Sequence, residues 1–348
     1  MNIRITLAIA ASLLAVAVHV HLVAQTQAPD AQTSRTGPWL ERTAWGDPDF
    51  QGEWTSEGEF GVPFERPPQF GTRQFLTDEE YATRLEEVRR RDERDLAPVD
   101  VLSGKVDAPN APIPHWREYN TISRRTSLVI DPADGRLPPR TPQARPVPVQ
   151  RCGSLQRGEP CDSYEDYSLH TRCIVQGGGF PDTMFPAVYN ANFRIVQSPA
   201  HVAITYELIH DTRVIPIDAS PQRDPLLSPA IRMYLGASRG RWEGTTLVVE
   251  TSHLKANTRG SSPALRLIER FTRTGRDSIA YEVTFIDPDT WTRPWTAALD
   301  LKARPEGAGV HDYACHEGNY GLRNMLSVSR HLERTASQRE SPQPSEPP

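Results

Sequence analysis

Between residues 238 and 301 the chain alternates apolar and polar positions, and turn residues interrupt the alternation at short intervals. In 246–251, Leu247, Val249 and Thr251 oppose Thr246, Val248 and Glu250. In 265–271, Leu265, Leu267, Glu269 and Phe271 share one face. In 279–285, Ile279, Tyr281, Val283 and Phe285 oppose Ala280, Glu282 and Thr284, and a loop at 274–277 joins these last two stretches. Successive side chains of a strand point to opposite faces, so a period of two predicts half-buried antiparallel strands.

The rest of the chain adds strands at 124–130, 192–197, 202–210 and 213–217, with a closing strand expected at 310–316. The total is about eight to ten, nearly all joined to sequence neighbours, with no βαβ alternation. Closing such a meander on itself removes its free edges. The expected fold is therefore mainly β: an antiparallel up-and-down barrel, lipocalin-like, with a two-sheet sandwich as the alternative. Gly52-Glu53-Trp54 matches the G-x-W that opens the first lipocalin strand, where the Trp plugs the closed end of the barrel. A plain core Trp accounts for the same three letters. Thr77, followed by Asp78, Glu79 and Glu80, opens a surface helix over 77–95 with Tyr81, Leu85 and Val88 on one stripe. A second short helix is predicted over 318–329, with Leu322, Met325 and Leu326 turned inward. Residues 58–75, 96–122, 137–150 and 218–237 read as loops, and 32 prolines explain why so much of the chain is irregular.

Residues 1–24 have the pattern of a secretory leader, with Arg4 in its basic region and an apolar run over 5–20. The apolar run is short for a membrane span of ~20 residues. The expectation is export, secreted or periplasmic, with no stable membrane insertion after cleavage. Residues 25–45 then form a flexible lead-in, 46–335 a single barrel domain and 336–348 a disordered tail. Export makes the four cysteines, Cys152, Cys161, Cys173 and Cys315, candidates for two disulfides. Of three pairings, Cys152–Cys161 closes a short local loop and leaves Cys173–Cys315 as a long-range tie. None has zinc-ligand spacing, so no metal is expected. Gly177-Gly178-Gly179 lacks the Lys-Ser/Thr of a phosphate loop, and no cofactor is expected. A net charge of −5 argues against a nucleic-acid partner.

Five stretches carry a family resemblance: 65–80 (ERPPQFGTRQFLTDEE), 124–139 (RRTSLVIDPADGRLPP), 209–218 (IHDTRVIPID), 240–251 (GRWEGTTLVVET) and 313–327 (YACHEGNYGLRNMLS). In these the chain resembles a family of secreted proteins present in multiple copies in environmental bacteria. The family pattern has Asp where this chain has Thr245, a change in a surface turn. The resemblance implies secretion and a lipocalin-like β fold, and carries no catalytic residue over.

Candidate chemistry lies in strand carboxylates and at strand ends. Glu207, Glu250, Glu269 and Glu282 fall within predicted strands. Glu269 stands out because its same-face neighbours are apolar, and a buried carboxylate must find a partner or take up a proton. Cys315-His316-Glu317-Gly318-Asn319-Tyr320 is the densest cluster, expected at a barrel mouth. It lacks the second His of a metalloprotease motif, and its cysteine and turn also explain it. Two readings use the lumen, and a third, favoured by a solid lumen, is a structural envelope protein with no pocket. In one, the lumen binds a small apolar or amphipathic ligand, with Arg213, Tyr320, Glu207, Glu250 and Tyr206 as candidate contacts. In the other, His316 with Glu317 or Glu269 moves a proton in a lyase, hydratase or hydrolase. A mostly apolar lumen with few polar groups favours the first, and several convergent ionisable groups favour the second.

Overall fold

The computed structural model describes residues 41–95, 122–146, 161–175, 183–187, 189–217, 228, 230–255, 260–305 and 307–340. The alternating stretches are strands, each with one face buried. In chain order they are β1 (Gly52–Thr55), β2 (Val129–Asp131), β3 (Asn192–Ser198), β4 (His201–Tyr206), β5 (Thr212–Pro216), β6 (Ala237–Glu243), β7 (Thr246–Ser252), β8 (Arg266–Gly275), β9 (Ser278–Ile286) and β10 (Trp295–Ala303). Two helices accompany them, α1 (Asp78–Asp95) and α2 (Tyr320–Glu340). Neither described helix is long and apolar enough to cross a membrane.

Nine strands form one path, β5-β4-β3-β1-β10-β9-β8-β7-β6. Its two ends, β5 and β6, meet through a bridge between Ile217 and Gly240. Taken around the wall, the strands thus follow chain order, as in a lipocalin-like up-and-down barrel. Every ladder along the path is antiparallel. An odd number of strands cannot close with antiparallel neighbours alone, so one junction must be parallel. The Ile217–Gly240 bridge is that parallel junction. Residues 217–236 connect β5 to β6, long enough for the crossover that parallel neighbours need. β2 lies off the path and pairs with β10 beyond the point where β1 stops.

The alternation places a largely apolar set inside the wall. Phe193, Ile195, Val202, Ile204, Ile215, Leu247, Val249, Leu267, Phe271, Ile279, Val283, Phe285, Leu299 and Leu301 belong to one buried cluster. Trp54 belongs to it as well; its indole N–H donates to the Phe50 carbonyl at 3.0 Å. The Arg273 guanidinium lies over the Trp54 ring at 4.6 Å and donates to the Asp49 and Gly275 carbonyls. Trp54 is therefore a buried core residue beside the β8–β9 hairpin. Elsewhere Trp295 stacks on Phe285 with ring centres 3.9 Å apart, and Phe64 and Trp291 meet Trp295 edge-on.

Several expectations are corrected. Residues 310–316 are not a strand: β10 is the closing strand, and its free edge is already taken by β1 and β2. The strand expected over 124–130 shrinks to β2, with Arg125 making only an isolated bridge to Phe75. Glu207 lies just past β4, in the turn toward β5. In α1 the inward stripe runs through Tyr81, Arg84 and Val88, while Leu85 is exposed. Arg84 donates to the Ser123 and Arg125 carbonyls and so ties the helix to the body. Helix α2 runs past 329 to Glu340, into the tail expected from 336. Residues 41–45, expected to be flexible, form a turn in which Thr43 hydrogen-bonds to Asp47. The expected leader, 1–24, lies outside the described residues, as does Cys152.

Cys173 and Cys315 are joined as expected. Cys161 is also disulfide-bonded. The bond at Cys315 anchors the chain entering α2, whose Leu322, Met325 and Leu326 pack on Cys161 and Tyr167. Cys161 and Tyr167 therefore form a small satellite core with the C-terminal helix.

The parallel junction rests on a missing side chain. A Cβ on Gly240 would lie 2.6 Å from the Ile217 Cδ1 and 3.0 Å from the Ile215 Cγ2. Replacing Gly240 by Val should therefore force β5 and β6 apart and destabilise the barrel by about 1–3 kcal/mol. Urea unfolding measures this, and an unchanged midpoint would show that the seam does not depend on close approach.

Candidate binding site in the barrel lumen

Among the described residues a charged pair lies fully buried among the inward-facing side chains of the wall. Arg213 on β5 and Glu269 on β8 are 4% and 0% exposed. Their side chains meet through two hydrogen bonds, Nη1 to Oε2 at 2.7 Å and Nη2 to Oε1 at 3.0 Å. The Tyr281 hydroxyl donates to Glu269 Oε1 at 2.9 Å, and the Thr251 hydroxyl donates to Oε2 at 3.5 Å. Thr251 in turn shares a 2.8 Å hydrogen bond with Ser238. The chain Ser238–Thr251–Glu269–Arg213 runs through β6, β7 and β8 and ends on β5. It therefore links both sides of the parallel seam through the interior.

Alternation is what brings these groups inward. Arg213 and Ile215 are the buried positions of β5, and Leu267, Glu269 and Phe271 those of β8. Each polar residue occupies a position that the period of two reserves for the core, so its polar atoms must be matched inside. The match is nearly complete. Burial would lower the Arg213 pKa, but Glu269 and the phenols of Tyr206 and Tyr281 reverse this and hold it above its ordinary value. Burial, followed by the charge of Glu269, pushes the Tyr281 phenol well above its usual range.

Three inward N–H groups remain without a hydrogen-bond partner among the described residues: Arg213 Nε, Trp242 Nε1 and Trp295 Nε1. All three are donors. Arg213 and Trp295 are fully buried, whereas Trp242 packs at the edge of the core against Phe50.

The other sequence candidates go elsewhere. Glu250 faces outward from β7 and takes a 2.9 Å hydrogen bond from Arg266. Glu282 is exposed on β9. Glu207 is buried and takes hydrogen bonds from the Asn192 amide and, at 3.2 Å, from the His311 backbone N–H. Tyr206 is buried on the inner face of β4, edge-on to Phe193. His316 and Glu317 are exposed before α2, and Tyr320 is 70% exposed. Asn319 explains much of that cluster: its side chain caps Leu322 N–H and donates to the Thr171 carbonyl. The structure thus brings Glu269, Arg213 and Tyr206 into one lumen, while His316 and Glu317 make no hydrogen bond or ion pair to Glu269. Sequence reading missed Tyr281, Thr251 and Ser238 as polar partners, although their alternation marked the first two as inward. Among the described residues no group of His, Cys, Asp and Glu is arranged to hold a metal ion.

No family profile, curated protein or solved structure matches the chain.

Two measurements test this account of the network. Arg213→Met alone strands the Glu269 charge and should destabilise by about 3–5 kcal/mol. The triple variant Arg213→Met, Glu269→Met, Tyr281→Phe removes every partner together and should recover most of that loss, because apolar replacement of a buried pair is often neutral or stabilising. Urea unfolding of both decides, and a triple variant no better than the single would show that charge stranding is not the cause. The second measurement concerns pH. The folded state keeps the Tyr281 proton above the unfolded phenol pKa of about 10. That stability is complete below about pH 10 and is lost as pH rises toward the folded pKa. Unfolding free energy should therefore fall more steeply above about pH 10 in the parent than in Tyr281→Phe, and equal slopes would remove Tyr281 from the account.

Proposed function

We propose that this is an exported β-barrel that holds a small apolar or amphipathic ligand in its lumen. The observation that carries the reading is the inward-facing set itself: aliphatic and aromatic walls, one internally matched polar group, and unpaired N–H donors at Arg213 and Trp295. Ligand sites are lined mainly by apolar side chains, with a few polar groups that fix orientation. A buried donor without a partner is costly in an apolar interior, and a ligand acceptor relieves that cost. The parallel seam supports the reading too, because β5 and β6 share a bridge where the other wall strands share ladders. Export is supported by the Cys173–Cys315 disulfide, a bond favoured in oxidising compartments.

The acid–base alternative finds less support. Both oxygens of Glu269 are engaged by Arg213, with Tyr281 and Thr251 adding to them. A carboxylate so engaged is poorly placed to accept a substrate proton. His316 and Glu317, the other proposed proton carriers, are solvent-exposed.

The test uses a neutral acyl-dimethylaminonaphthalene dye, whose ketone is its acceptor and whose emission reports an apolar environment. The folded protein should bind about one dye per chain with a Kd in the micromolar range, about −8 kcal/mol. Trp295→Phe should weaken binding by removing a donor while leaving the aromatic wall. Failure of the folded protein to bind the dye, or binding by many weak sites, would sink the proposal.

A further inference from the structure

We propose that the lumen selects neutral ligands bearing a hydrogen-bond acceptor and rejects carboxylates, so that its occupant is a ketone, ester, ether or alcohol rather than a fatty acid. This rests on the ligand-binding reading above and adds the chemical class of the ligand.

Charge and the supply of donors set the ligand class. A buried arginine among apolar side chains can mark an anionic ligand, since its planar fork matches a carboxylate. Here the fork is already occupied: Nη1 and Nη2 donate to the two oxygens of Glu269 at 2.7 and 3.0 Å. The pair is neutral as a unit. A ligand carboxylate arriving at Arg213 must either displace Glu269 or lie beside it. Displacement leaves a fully buried carboxylate with only the Tyr281 and Thr251 hydroxyls. Lying beside it sets two negative charges against one cation in an interior where Coulomb forces are poorly screened.

Besides this pair and the phenols of Tyr206 and Tyr281, Arg273 stands on β8 at the Trp54 end. Its guanidinium donates to the Asp49, Gly275 and Arg276 carbonyls, and burial lowers its pKa, opposed in part by the charges of Asp49, Glu41 and Asp277. It offers no free cation to an acid.

The donor inventory leads to the same class. The single hydroxyl hydrogen of Tyr281 is directed to Glu269, as is that of Thr251. Ser238 then donates to Thr251. Among the described residues, the inward N–H groups left without a partner are the Nε–H of Arg213 and the indole N–H of Trp242 and Trp295. Each can give one hydrogen bond to an acceptor. Two of them are neutral donors, and the third belongs to a cation already neutralised. Such a set is matched by carbonyl, ether or hydroxyl oxygens, which bring no charge into the barrel.

The experiment is displacement of the neutral dye by a medium-chain methyl ketone and by the fatty acid of equal chain length, at a pH where the acid is ionised. In the parent protein the ketone should displace at a concentration roughly a hundredfold lower than the acid. Glu269→Gln removes the compensating charge and leaves Arg213 as a free cation, so this variant should reverse the preference. Should that variant not fold, the parent comparison stands alone as the test. Equal displacement by ketone and acid, or preference for the acid in the parent, overturns the inference while leaving ligand binding intact. Failure of the dye to bind at all overturns both.

Discussion

Nine strands in a ring leave one pair of neighbours that must run parallel, and the rest of this barrel is arranged around that pair. The junction between β5 and β6 has a bridge where other neighbours have a ladder. Side chains make up the difference. Gly240 lets Ile215 and Ile217 approach the backbone of β6, and Arg213 reaches through the interior to Glu269. The Ser238–Thr251–Glu269–Arg213 chain then binds β6, β7 and β8 to β5 by hydrogen bonds that do not run through the wall. The feature that looks most like a binding site is therefore also a strut.

The two roles are compatible because they use different atoms. Holding the seam needs the Nη1 and Nη2 hydrogens of Arg213 and both Glu269 oxygens. The proposed recognition would use the Nε–H, which the strut leaves unpaired. A purely structural group would be expected to satisfy all its donors or to be replaced by apolar packing, since buried ion pairs seldom stabilise more than good hydrophobic contacts do. Retaining a charged group with one idle donor in an otherwise apolar lumen is more readily understood if a ligand completes it.

How much of this was legible in the sequence depends on the range of the interaction. Local alternation identified the inward faces of β7, β8 and β9 residue by residue, and Glu269 stood out because its same-face neighbours are apolar. The α1 start was equally local: Thr77 and Glu80 exchange hydrogen bonds across one turn. What alternation cannot encode is which inward residue meets which. The sequence offers Arg213 as a candidate ligand contact, yet its partner lies 56 residues away across the lumen. The strand expected over 310–316 failed for a related reason: propensity is local, but an available sheet edge is a property of the whole barrel. Helix α2 outran its expected end because no breaker stands before Pro342, so a polar composition was mistaken for the end of order.

The dense Cys315–Tyr320 run shows how a functional-looking motif can be accounted for by anchoring. A cysteine, a histidine, an acid and a tyrosine within six residues suggest catalysis when read in one dimension. In three dimensions Cys315 is bonded to Cys173, and Asn319 caps the following helix while holding the Thr171 carbonyl. The helix they position buries its apolar face on Tyr167 and Cys161. The residues that would do chemistry, His316, Glu317 and Tyr320, are the ones left facing solvent. The order is reversed at Glu269, where a single strand position with no reactive neighbours in sequence becomes the centre of a buried charged network. Local density of reactive side chains was a weaker guide here than a single polar residue in an apolar register, because burial, unlike proximity in sequence, obliges a polar group to find a partner.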